Sequence, residues 1–235
     1  MILAELEVFH SRSFSPTRRL ALGRVRLPID PPPGFGPLLL GGIVAVGAED
    51  LDVDDRAGLL ELMRLLENGQ RVVQPRLRNR FQVDHQGLAR TEARLVGGGE
   101  HIEFDFDGNG SPLQMALAAT YAAGRFPLGT RARAFDVLRK GLRWRGEIDQ
   151  RLLAHLAGRN GSPTNWAAVM AYADPAAWAR ELLGLDPEGA TPGRRDVQRR
   201  FRQLLRDAHP DHGADSDEAA ARIADLTEAR RILLG

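Results

Sequence analysis

No cysteine occurs among the 235 residues, which excludes disulfides and thiolate metal sites and suits a reducing compartment. Lysine is nearly missing too: one stands against 31 arginines, a bias that reads as genomic base composition rather than function. A strong charge of either sign is absent, since the net is +1, so nothing draws the whole chain towards nucleic acid or a membrane surface. Long apolar runs are lacking: the longest, Pro37 to Ala48, is too short to span a bilayer, and the first residues do not follow the charged-then-apolar order of a signal peptide. The expected location is the cytoplasm. There is no internal repeat, low-complexity tail, phosphate-binding glycine loop or nucleophile motif, so neither an enzyme nor a cofactor is expected. What remains is 43% hydrophobic and 27% charged, the composition of one large or two modest globular domains.

The first hundred residues read as strands with one early helix. Ile2, Ala4, Leu6 and Val8 alternate with Glu5 and Glu7, the pattern of a half-buried strand. A second strand fits Arg24–Leu27, closed by Pro28 and the turn Pro31-Pro32-Pro33-Gly34, and the apolar run Leu38–Val46 suits a central strand. Asp54–Glu67 predicts a helix with Leu59, Leu60, Met63 and Leu66 inward and Asn68-Gly69 as its stop. Val73–Val83, Leu88–Val96 and Ile102–Phe106 then alternate as a meander of hairpins, the last two separated by Gly97-Gly98-Gly99. From Ser111 to Ala173 four helices are predicted, over 111–123, 130–141, 145–157 and 162–172. These segments predict an α+β fold: an antiparallel β-rich domain with helices over residues 1–110, then a helical segment over 111–173 packed on it.

Two constellations here could carry chemistry. His101, Glu103, Asp105 and Asp107 share one strand face, as acids holding a divalent cation in a hydrolase would. The simpler reading pairs them across strands with the arginines at 76, 78 and 80 and the Arg90, Glu92, Arg94 set, each pair contributing roughly 0.2–1 kcal/mol. Asp105 to Gly110 also resembles the opening of a calcium loop, but position twelve is Ala116 where a bidentate Glu is needed. A turn into a helix capped by Ser111, with Pro112 at its first position, accounts for those residues, and no metal site is expected. Arg125 to Arg151 holds eight basic residues against Asp136, Glu147 and Asp149, with Phe135, Leu138, Leu142 and Trp144 interleaved. That stretch would be the contact surface of a nucleic-acid-binding protein; the structural alternative is a helical core flanked by a solvated face.

The end of the chain is more specific. Val197, Phe201, Leu204, Leu205 and Ala208 draw one apolar stripe on a helix, and Arg195, Arg199, Arg202 and Arg206 draw a cationic stripe beside it. Six arginines against Asp196 and Asp207 leave residues 194–208 at +4. Pro210 must end this helix. Ile223, Leu226, Ala229 or Arg230, and Leu233 then repeat at helical spacing. His209-Pro210-Asp211 therefore opens a polar loop, to about Asp215, between two helices that pack on each other.

Residues from about Ala176 to Gly235 resemble the J-domain of Hsp40-type co-chaperones. Glu181-Leu182-Leu183-Gly184-Leu185 looks like the end of the family's first helix, Val197–Leu204 like its second, and Leu226-Thr227-Glu228-Ala229 with Ile232-Leu233 like its third. His209-Pro210-Asp211 matches the family's loop. Differences are a longer connection from Leu185 to Val197, Gln198 and Gln203 at positions usually basic, and Asp207 near the helix end. The resemblance implies an all-α helical hairpin over 176–235 and a chain that stimulates ATP hydrolysis by an Hsp70 partner. Arg195, Arg199, Arg202 and Arg206 would dock on the acidic surface of Hsp70, Asp211 would engage a charged switch residue near its interdomain linker, and His209 and Pro210 would shape the loop. Leu183, Val197, Phe201, Leu204, Leu205, Ile223, Leu226 and Leu233 would form the module's core. The first region would select a client protein or a location. The competing expectation is nucleic-acid binding through Arg125–Arg151, with a J-like accessory tail.

Overall fold

The computed structural model describes residues 1–12, 17–29, 34–98, 101–158, 175–186, 192–208 and 216–234. The fold is α+β. The chain divides into two compact units, one comprising Ile2–Val96 and Glu103–Thr164, the other Met1, Gly97–Ile102 and Asn165–Gly235. Among the described residues no helix is long and apolar enough to cross a membrane.

Five strands form one sheet: β1 (Ile2–His10), β2 (Arg18–Arg26), β3 (Asn79–Gln82), β4 (Ala89–Gly98) and β5 (His101–Phe106), in the order β3-β2-β1-β4-β5. β1 runs antiparallel to β2 and β4, but β3 runs parallel to β2, so the sheet is mixed and the all-antiparallel expectation is corrected. The reason lies in the connection. Two helices intervene between β2 and β3, and a crossover of that length lets a strand return in the same direction. The strand expected over Val73–Val83 shrinks to four residues, because Pro75 offers no N–H to a ladder and Leu77 and Arg78 adopt φ of +46° and +58°. The three-strand meander fails with it: β1, not β3, lies beside β4.

Side chains alternate across the sheet. Leu6 and Val8 of β1, Leu20 and Leu22 of β2, and Ala93 and Leu95 of β4 are buried under helices. On the opposite face Glu5, Glu7 and Glu92 are buried despite their charge. Register sets Glu7 directly across from Glu92, a like-charge pair that would be unfavourable alone. Arginines resolve it. Arg90 Nε lies 2.5 Å from Glu7 and its guanidinium also pairs with Glu92, Arg94 bridges Glu92 and Glu5, and Arg24 reaches Glu5 at 3.2 Å. The backbone N–H of Arg24 donates to Glu7 at 2.9 Å and, with Arg90 and Arg24, holds that carboxyl below the usual range despite its burial. Cross-strand pairing thus exists, but chiefly between β4 and β1. Among the described residues of β5, Asp105 takes part, 3.7 Å from Arg94.

The first unit's helices are α1 (Phe35–Val46), α2 (Val53–Glu67), α3 (Pro112–Ala123), α4 (Leu128–Arg143) and α5 (Gln150–Leu156). α1 replaces the central strand expected over 38–46. It is buried on every side except at Val46, so it has no polar face to impose a helical period, and an unbroken apolar run fits either element. α1 packs against β1, α3, α4 and α5. Glycines permit that closeness: a Cβ on Gly141 of α4 would overlap the carbonyl oxygen of Gly41, and one on Gly41 would lie 2.8 Å from Val137. Asp52 caps α2 by accepting from the Asp55 N–H at 2.7 Å, and Gly69, at φ +70°, ends it with the paired bonds of a Schellman turn. Leu60 is corrected: it is 41% exposed, and Leu62 joins Leu59 and Met63 in the core. Ser111 caps α3 with Pro112 at its first position, as expected. α4 starts two residues earlier than expected, and α5 starts only after Asp149, which caps it. The helix expected over 162–172 lies outside the described residues.

Two predictions follow from this packing. Gly141→Ala should lower stability by about 1–3 kcal/mol through overpacking, read as a shift of the urea midpoint; an unshifted midpoint would contradict the close approach of α1 and α4. His10 is buried with Nε2 2.9 Å from Thr91 Oγ1, and burial pushes its pKa below the ordinary value. The folded state therefore keeps His10 neutral to a lower pH than the unfolded chain, which takes up a proton near pH 6.5. This stability is complete above about pH 6.5 and is lost as pH falls below it. Melting temperature followed by circular dichroism should drop from pH 7 to pH 5.5, and His10→Gln should flatten that dependence.

Candidate functional site

The second unit contains α6 (Pro175–Leu182), α7 (Arg194–Asp207) and α8 (Ser216–Leu234), with α8 packed on both others. α6 places Trp178 and Leu182, one turn apart, inward, together with Ala179 and Leu183. The Leu183-Gly184-Leu185 signature has a physical role. Gly184 takes φ +64° and donates to the Glu181 carbonyl at 2.9 Å, while Leu185 donates to the Arg180 carbonyl at 2.8 Å. That is a Schellman cap, and only glycine enters it without strain.

α7 buries Val197 and Phe201, with Leu204 and Leu205 half-buried behind them. α8 contributes Leu226 and Ala229, fully buried, with Ile223 and Leu233 half-buried. Ala229, not Arg230, is thus the core residue at that turn. Arg230 instead lays its guanidinium 5.0 Å from the Phe201 ring centre, a cation–π contact joining α7 to α8. All eight core residues named from the sequence fall on described helices or their ends, but Trp178, Ala179 and Leu182 were not among them. The i, i+4 pairing of Trp178 with Leu182 was a usable signal for all three.

With its apolar side turned inward, α7 presents Arg195, Gln198, Arg199, Arg202, Gln203 and Arg206 along one shallow groove. The four arginines of that row are exposed. Arg199 pairs with Asp196 at 2.8 Å, one turn back in solvent, a contact worth little and easily exchanged. Arg200 differs from them: its Nη2 donates to the Gly184 carbonyl at 3.4 Å, tying α7 to the end of α6. His209, Pro210 and Asp211 lie outside the described residues. Their flanks do not: α7 ends at Asp207 and α8 begins at Ser216.

The rival sites are weaker. Asp107 Oδ2 accepts from the Glu92 backbone N–H at 2.9 Å and Asp105 faces Arg94, while Glu103 is exposed. Among the described residues no three His, Asp or Glu side chains form a metal-holding group. In Arg125–Arg151 most cations have a partner, although the surface pairs of Lys140, Arg145 and Arg151 are worth as little as that of Arg199. Arg131 donates to the carbonyls of Phe126 and Leu66, Arg139 pairs with Glu67, Lys140 with Asp136, and Arg151 with Asp149. Arg145 reaches Glu49 at 3.9 Å and Arg125 lies over Phe81, leaving Arg133 and Arg143 exposed without an ion pair among the described residues.

Trp178 yields a test of the module's packing. Its Nε1 is buried with no acceptor among the described residues. Trp178→Ala should cost about 3–5 kcal/mol by emptying the space between helices. Trp178→Phe should cost much less, because the ring largely fills the site and an unsatisfied donor disappears. Denaturant titration of both variants decides this; equal losses would remove the argument. Comparison with known proteins adds no assignment: no family model, no curated protein and no solved structure matches the chain.

Proposed function

We propose that this chain is a co-chaperone that binds an Hsp70-type ATPase through its second unit and stimulates ATP hydrolysis. The observation that carries the reading is the exposed row Arg195, Arg199, Arg202 and Arg206, on a helix that leads straight into His209-Pro210-Asp211 and whose opposite side packs on α8. A cationic helix face of this kind steers and orients an acidic partner more than it adds affinity. The chain itself performs no bond-breaking step in this mechanism. α7 docks, Asp211 engages a charged residue near the Hsp70 interdomain linker, and His209 and Pro210 set the shape of the loop. Hydrolysis then closes the chaperone on a client that the first unit selects. The role of residues 209–211 rests on the sequence motif. The nucleic-acid reading draws less support, because most of the Arg125–Arg151 cations have a partner within the fold.

Asp211→Asn and His209→Gln should abolish stimulation of single-turnover ATP hydrolysis by Hsp70 while the circular dichroism spectrum stays unchanged. Stimulation at the unaltered rate by either variant would refute the mechanism. Arg199→Glu with Arg202→Glu should weaken association in proportion to the charge reversed, and the deficit should shrink as salt rises, since exposed charges are screened within roughly 10 Å at 0.1 M. An affinity indifferent to both reversals would remove the docking face.

A further inference from the structure

A second concentration of arginines is built by the tertiary structure at the corner where β2 begins beside β3. The parallel register sets Arg18 next to Asn79 and Arg19 next to Arg80, and the Arg18 N–H donates to the Arg78 carbonyl at 2.9 Å. Arg76 and Asn79 exchange backbone hydrogen bonds at 2.9 and 2.7 Å, closing a two-residue turn. The residues at its tip, Leu77 and Arg78, both hold left-handed φ values, which side-chain-bearing residues adopt only at a cost in backbone energy. Asn-Gly would fill such a turn without that cost. The fold holds it by seating Leu77 against Gly58 of α2, where a Cβ would come within 2.5 Å of Leu77 Cδ2, and by a bond from Asn79 Nδ2 to the Leu77 carbonyl at 2.7 Å. The consequence is that Arg78 is displayed between Arg76 and Arg80.

None of these five arginines forms an ion pair among the described residues, although Arg19 Nη2 donates to the Gln86 carbonyl at 3.2 Å, whereas Arg24, Arg90 and Arg94 of the same sheet are all paired with buried glutamates. Asp55 is close enough to feel Arg18 and Arg78 but bonds to neither, and Glu61, which feels Arg76, is held by Arg64. Arg76 Nε is buried without an acceptor among the described residues. Guanidinium forks match both carboxylate and phosphate. The surroundings favour carboxylate. Val73 and Val83, at the two ends of this segment, are 79% and 86% exposed, aliphatic contacts suited to a polypeptide. Phe81, the ring nearest the arginines in sequence, is stacked on Tyr121 at 4.1 Å with Arg125 over it, so it offers no free face to a base. Nor is β3 free to accept an added strand. The outward N–H and carbonyl of Asn79 are bonded to Arg76, and the Phe81 N–H is bonded to Gln74 Oε1 at 2.9 Å.

We propose that the turn Arg76–Arg80, with Arg18 and Arg19, docks an acidic stretch of a partner polypeptide that also carries aliphatic side chains. Recognition is by side chains, not by strand addition, and the proposal stands independently of the Hsp70 reading. The test is fluorescence anisotropy on the full chain with a labelled peptide of alternating Glu and Val, a matched Lys and Val peptide, and a labelled oligothymidylate. The acidic peptide should bind at low salt and weaken as salt rises. Arg78→Glu with Arg80→Glu should weaken it by about tenfold or more, and Arg133→Glu with Arg143→Glu on α4 should not. Arg78→Gly should raise the melting temperature by releasing the left-handed strain and still lower peptide affinity. No binding at low salt, equal binding of the Lys and Val peptide, tighter binding of the oligothymidylate, or equal losses in the two double variants would each overturn the proposal.

Discussion

Close approach between α1 and α4, at Gly41 and Gly141, is the contact on which the first unit depends. α1 has no solvated face apart from its last residue, so it can exist only if everything around it is covered. β1 lies on one side of it, and α3, α4 and α5 on the others. A Cβ at Gly141 would push α4 away and open the apolar run that α1 consists of. Gly42 serves the same end towards β5, where a Cβ would strike the ring of Phe104. Small residues at these crossings are what turn an apolar stretch into a central helix.

Arginine, almost the sole cation of this chain, fills three roles that its environment assigns. On the outer sheet face it neutralises Glu5, Glu7 and Glu92, which could not be buried with their charges uncompensated. Around α2 and α4 it ties down carbonyls, as Arg131 does for Phe126 and Leu66. At Arg195, Arg199, Arg202 and Arg206 of α7, and at Arg78 and Arg80 of the β2–β3 corner, it faces solvent. Composition cannot separate these roles, because the same residue type supplies all three.

The second unit concentrates its specificity in helix ends. Gly184 closes α6 with a Schellman cap, Arg200 fastens α7 to that cap, and Arg230 covers Phe201. These contacts fix which side of α7 turns inward, and hence which arginines remain outward. In the proposed co-chaperone mechanism, that orientation is the whole of the docking surface, with the loop motif supplied by the adjoining residues.

Local periodicity made α2, α3, α7 and α8 legible from the sequence, together with Val197, Phe201, Leu226 and the row of four arginines, since each depends on spacing within a single helix. Ser111, Pro112 and Gly69 were legible for the same reason: a cap is chemistry between neighbours. What periodicity could not reach was anything set by residues far apart in the chain. The identity of α1 depended on partners more than a hundred residues away, the pairing of Glu7 with Arg90 on β1 lying beside β4, and the arginine corner on a parallel pairing across some sixty residues. Hydrophobic spacing therefore determined which segments could bury a face, and only long-range packing decided against what, because burial is a property of the neighbour as much as of the residue.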